Sequence, residues 1–136
     1  MYDNLVSHNV SEGNGGAGVG MFASIPGTAS YDNRVIDNTL RDNGEAGVAI
    51  HAHAPGQNVS GNVIRGNRIS GNGIDPDSGS GNPTGIALFS AVVPVTVTVS
   101  NNHIANEYWG IFRSGSLTIS GLSTNHYAKS VTVHAN

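Results

Sequence analysis

Residues 35–50, VIDNTLRDNGEAGVAI, set two asparagines, Asn38 and Asn43, into an apolar pattern otherwise spaced as for a strand. The first nine of these residues read V-x-x-N-x-L-x-x-N, and the template returns at 64–72 as IRGNRISGN. Residues 6–14, VSHNVSEGN, keep both asparagines with Ser11 at the second apolar place, and residues 99–107, VSNNHIANE, end on Glu107 in place of the last asparagine. A fifth, degraded copy at 117–125, LTISGLSTN, retains Leu117, Leu122 and Asn125 and puts Ser120 in the first asparagine slot. The copies begin 29, 29, 35 and 18 residues apart. Such a period is read before any local structure, because units of a repeat protein bury their apolar faces against each other.

Four copies are followed by a glycine and an apolar residue: Gly18-Val19, Gly47-Val48, Gly85-Ile86 and Gly110-Ile111. The unit is therefore strand, corner, strand, corner, strand. The long step holds a loop insertion at 74–84, IDPDSGSGNPT. Short strands whose corners turn the chain the same way make a solenoid in which each coil rests on the last. The fold expected is all-β, a parallel β-helix of about five coils, one domain over residues 1–136. Its right-handedness follows from the general rule for parallel crossovers. Val35, Leu40, Val48 and Ile50 point into the bore, and their neighbours alternate outward. Asn38 and Asn43 turn the coil: a corner asparagine satisfies backbone groups freed by the bend and stacks on its copy in the next coil.

Composition narrows the function. No apolar stretch is long enough to span a membrane, and a formal charge of −3 with 11% charged residues argues against nucleic acid, which needs a basic face. The absence of cysteine excludes disulfide and thiolate chemistry. No signal peptide precedes Tyr2, and neither end reads as a capping helix, so the expectation is a piece of a longer β-helix or an oligomer that buries its ends.

Stacking turns scattered residues into neighbours about 4.8 Å apart. The corner after the second asparagine slot carries Glu45, Asp75, Asp77, Glu107, Tyr108 and Trp109, which are expected along one edge. Carboxylates beside aromatic faces are the chemistry of a sugar-binding groove, and the acids could also hold calcium, the one cofactor this edge suggests. Glu45 and Glu107 lie two coils apart, about 9.6 Å, close to the separation of an inverting glycosidase pair. The plainer reading makes Glu45 a solvated loop residue and Asp75 and Asp77 the ends of an Asp-Pro-Asp turn.

In HAHAPG at 51–56, His51 and His53 face outward about 6.8 Å apart and could share a metal, although the local sequence offers no third ligand. The same outward column holds Phe22 and Phe89, so Phe22, His51 and Phe89 form an exposed ring stack. A third column runs Val10, Thr39, Arg68 and His103, with His8, Asp37 and Arg65 close by. Arg65 and Arg68 could serve uronate chemistry, but His8 with Asp37 and Glu12 with Arg41 read more simply as surface pairs between coils. Thr96, Thr98, Thr118 and Thr132 are too short a ladder for an ice-binding surface.

On the N-x-I-x-x-N and G-I-x-L patterns, the chain resembles the right-handed parallel β-helix repeat proteins of the pectin-lyase-like superfamily over nearly all of residues 2–134. That resemblance implies a secreted or surface setting and covers polysaccharide lyases, glycoside hydrolases, uronan epimerases and tailspikes, so it names no activity. The Asp-Pro-His signature of the epimerases is met here by Asp75-Pro76-Asp77 without the histidine. The polygalacturonase segments and the calcium-bearing aspartate clusters of pectate lyases are not recognisable. The function expected is an extracellular or cell-surface scaffold with a polysaccharide-binding edge. A lyase, hydrolase or epimerase acting on acidic glycans, and a purely structural segment, are the alternatives.

Overall fold

The computed structural model describes residues 1–23, 25–75 and 80–136. Thirteen strands follow one another: β1 Leu5–Ser7, β2 Val10–Glu12, β3 Val19–Ala23, β4 Arg34–Ile36, β5 Thr39–Arg41, β6 Val48–Ala52, β7 Asn62–Arg65, β8 Arg68–Ser70, β9 Thr84–Ser100, β10 His103–Ala105, β11 Trp109–Ser120, β12 His126–Tyr127 and β13 Val133–Ala135. A 3-10 turn, Leu122–Thr124, separates β11 from β12. Each strand pairs in parallel with its copies in adjacent coils. A first face stacks β1, β4, β7 and the later halves of β9 and β11. A second face stacks β2, β5, β8, β10 and β12. The third stacks β3, β6, the early halves of β9 and β11, and β13. The result is a parallel β-helix, as the repeat predicts. No helix among the described residues is long and apolar enough to cross a membrane.

Alternation fills the bore. Val35, Leu40, Val48, Ile50, Ile64, Ile69, Ile86, Leu88, Ile104 and Ile111 are all fully buried. Removing a side chain of this size from water stabilises by about 1.5–3 kcal/mol, so the column of branched residues is the main cohesive term. Where Ile69 and Ile104 reach across the bore, the opposing strand must be bare. A Cβ on Gly47 would lie 2.7 Å from Ile69 Cγ2 and 2.9 Å from the Gly85 carbonyl, and one on Gly85 would lie 2.9 Å from Ile104 Cγ2. The glycine before each inward apolar residue is thus a packing requirement. The last coil departs from it: His134 stands in register with Gly110, and its ring stacks on Tyr127 at 4.4 Å and 5°. This aromatic pair lies over the end of the isoleucine column, where sequence alone shows no cap.

Three asparagine columns hold the corners. The longest runs Asn9, Asn38, Asn67, Asn102 and Asn125. Asn38 donates its backbone N–H and Nδ2 to Asn67 Oδ1 at 2.9 and 3.0 Å, and Asn67 does the same to Asn102 at 3.0 Å each. The second Nδ2 proton goes to a carbonyl of the preceding coil, that of Val6 from Asn38 and that of Val35 from Asn67. Each amide is thereby satisfied while out of water, the condition under which a buried polar group is tolerated. A second column runs Asn14, Asn43, Asn72 and Glu107. A third, Asn4, Asn33 and Asn62, is absent from the sequence template although it shares the 29-residue step.

The fifth copy is registered differently from its sequence reading. Asn125 accepts from Asn102 N and Nδ2 at 3.0 and 2.9 Å, so it occupies the first asparagine slot, not the second. Ser120 pairs with Thr98, outside the ladder. The 3-10 turn at 122–124 takes up the added residues, and such a turn carries no apolar periodicity to reveal it.

Candidate functional site

The third face carries a continuous row of aromatic rings. Strand register sets Phe22 beside His51 and His51 beside Phe89, with ring centroids 4.8 and 4.7 Å apart. The row continues through Phe112, 5.3 Å from Phe89, to Trp109 at 5.6 Å and then to Tyr108 at 4.9 Å. It therefore joins two residue sets that the sequence treats separately, and Phe112 is the link it omits. The signal was present: Phe112 follows Gly110-Ile111 at the outward place. Its backbone pairs with Ala87, which lies beside Ala49 and Gly20 in earlier coils, so this column is small until Phe112.

Successive rings are tilted by 53°, 79° and 46° from Phe22 to Phe112, which keeps them from covering one another face to face. Phe22 is 41% and Tyr108 39% exposed, and the rings between them are half-buried. A hollow of about 260 Å³ lies against His51, His53 and Phe89, walled by Ala52 and Ala91. On the other side of His51 and Phe89, a narrow cleft is floored by Ala46, Ala49 and Ala87 and edged by Glu45 and Ser80. The site is an apolar strip with, among the described residues, the Glu45 carboxylate at its margin.

His51 is held neutral. Burial, followed by the neighbouring His53, pushes its imidazole down to about 4. The His51 and His53 rings meet edge to face at 5.5 Å. Gln57 Oε1 closes the turn after them, accepting the His53 and Ala54 N–H groups at 2.8 and 2.9 Å. Among the described residues no group of three His, Cys, Asp or Glu gathers as a metal would require.

The acidic edge expected from sequence is dispersed. Glu107 lies in the ladder at 2% exposure, its Oε1 accepting Asn72 N and Nδ2 at 3.0 Å each. Burial raises its carboxyl to about 7. Asp75 is drawn back by the inserted loop: its N–H donates to Gly44 O at 2.8 Å, and it borders a groove of about 400 Å³ with Asp42, Ile74 and the Gly13–Gly15 corner. Glu45 edges the aromatic cleft instead. Asp77 lies outside the described residues. The insertion breaks the simple stacking on which the single edge depended.

On the second face, Val10, Thr39, Arg68 and His103 are in register as expected, and His126 extends the column. Glu12 and Arg41 form their ion pair, Nε to Oε2 at 2.6 Å. His8 and Asp37 form none among the described residues; both occupy left-handed corner conformations, with φ of 57° and 56°.

A family model described as a right handed beta helix region matches residues 2–87. No curated protein and no solved structure matches the chain.

Proposed function

The chain belongs to the right-handed β-helix family, and from that premise we propose that it is an extracellular or cell-surface scaffold whose third face binds polysaccharide. The observation that carries this reading is the unbroken ring row from Phe22 to Tyr108. Tilted, half-exposed rings offer π faces to the C–H face of a pyranose, and Glu45 and Ser80 stand where hydroxyls of a bound sugar would need acceptors. A neutral His51 adds an amphipathic ring without the hydration cost of a charge. Binding without catalysis is favoured because, among the described residues, the carboxylates do not converge: Glu107 is closed to solvent, and Asp75 faces a different groove.

The test is retention of the protein on acidic and neutral polysaccharides, with calcium and with chelator, together with the length and unsaturation of the recovered chains. Retention with intact chains, weakened at least tenfold by Phe89→Ala and Trp109→Ala, is the expected result. Shortened or unsaturated chains would replace it with the lyase, hydrolase or epimerase reading. No retention on any glycan would leave the fold as a structural segment.

A further inference from the structure

The second face is a separate surface with its own chemistry. Its last three coils enclose a shallow groove of about 420 Å³, lined among others by Arg68, Ser70, His103, Ala105, His126 and Tyr127. Arg68, His103 and His126 stand one above another on β8, β10 and β12, and all three are exposed. The two imidazoles are stacked nearly parallel, 4.8 Å apart at 16°. None of these three side chains has a hydrogen-bond or ion-pair partner among the described residues, whereas Arg41, in the adjoining column, is neutralised by Glu12. Among the described residues, none of those lining the groove is acidic.

We propose that the Arg68–His103–His126 column is a binding site for an oxyanion group, a phosphate, sulfate or carboxylate. The groove offers one permanent cation and two imidazoles in a line, on a chain whose formal charge is −3. Charge-assisted N–H···O bonds of about 2.8 Å reach from two rungs about 4.8 Å apart to a single oxyanion between them. Arginine supplies a fixed fork of donors for such groups, and the imidazoles add donors whose number grows on protonation.

Proton uptake is linked to this binding. Imidazole is the side chain whose charge ordinarily changes between pH 5 and 8. The charged or titratable groups on the five strands of this face are Glu12 and Arg41, paired together, and Arg68, His103, His126 and Tyr127. The flanking corners add His8, Asp37, Asp42, Glu107 and Lys129.

The experiment is titration of the whole chain with inorganic phosphate and with sulfate at pH 6 and pH 8, following the imidazole resonances of His103 and His126 by NMR. Saturable shifts of both rings, tighter at pH 6, and at least fivefold weaker in Arg68→Gln and His126→Gln, are expected. Arg34→Gln removes an equal charge from the first face and should leave binding intact. Repeating the titration with a sulfated or carboxylated polymer separates the sources: tighter binding assigns the groove to polymer-borne groups, equal binding per charge to free oxyanions. Unmoved resonances, or shifts weakened as much by Arg34→Gln as by Arg68→Gln, would overturn the proposal.

Discussion

Glu107 Oε1 takes the backbone N–H and Nδ2 of Asn72 at 3.0 Å each, while its second oxygen, Oε2, is buried with no partner among the described residues. The Trp109 indole N–H, two residues on, is also buried and unpaired. An asparagine ladder thus continues into a carboxylate one carbon longer, with two unsatisfied polar atoms close by in sequence, where each costs about 1–3 kcal/mol.

The pH dependence of Glu107 follows from its carboxyl being raised from an ordinary 4.5 to about 7 by burial. Between those values the folded chain holds a proton that the unfolded chain has released. Stability from this group is full below about 4.5, declines as pH rises, and is lost above about 7, a difference on the order of 3 kcal/mol. Glu107→Gln keeps the Oε1 acceptor and abolishes the titration. Urea unfolding should find the variant equal to wild type near pH 4.5 and more stable at pH 8; equal stabilities at both would show that Glu107 does not titrate this way.

His51 works in the opposite sense. Its imidazole falls from 6.5 to about 4 in the fold, chiefly through burial. The unfolded chain takes up a proton first on acidification, so this contribution is full above about 6.5 and lost as pH falls toward about 4. The two groups nearly cancel in the wild type between pH 4.5 and 6.5. His51→Phe, which keeps a ring between Phe22 and Phe89, should therefore uncover a stability profile that falls steadily with rising pH over that interval. Thermal unfolding at four pH values is the check, and a flat variant profile would count against the assignment.

The ladder predicts a gradient of cost along one column. Asn67→Ala deletes the acceptor of two Asn38 donors and takes the Nδ2 protons from Val35 O and from Asn102 Oδ1, which keeps only the backbone N–H of residue 67, all in the closed interior. The loss should be roughly 3 kcal/mol or more. Asn9 is exposed and makes the same bonds on one side only, to Asn38 Oδ1 and Ser7 O. Asn9→Ala should cost about 1 kcal/mol or less, because water replaces its partners. Equal losses in denaturant unfolding would refute the buried-ladder account.

The coil was legible because one residue type does one job at every repeat. Asn38, Asn67 and Asn102 recur at fixed offsets from inward valines and isoleucines, and register follows from that alone. What escaped the reading lies where spacing and contact part company. The 3-10 turn before Asn125 lengthens one corner without an apolar marker, so the last coil was misregistered. Asp75 was misplaced because the insertion folds back toward Gly44. Phe112 was missed because its ring reaches Phe89 from a neighbouring column, a direction that strand pairing does not encode. The aromatic column needed steps of 29 and 38 residues and the histidine column steps of 29 and 35, which is why most of each was visible beforehand.

The amide columns also have a direction. From Asn9 to Asn102 each rung gives its backbone N–H and one Nδ2 proton to the Oδ1 of the rung in the next coil, and Asn125 turns its own Nδ2 donors back onto Val99 and Leu122. A rod built this way has unlike poles, one of acceptors and one of spent donors. Two copies meeting through a twofold axis would set like against like across the seam. A head-to-tail contact would instead set unlike poles together.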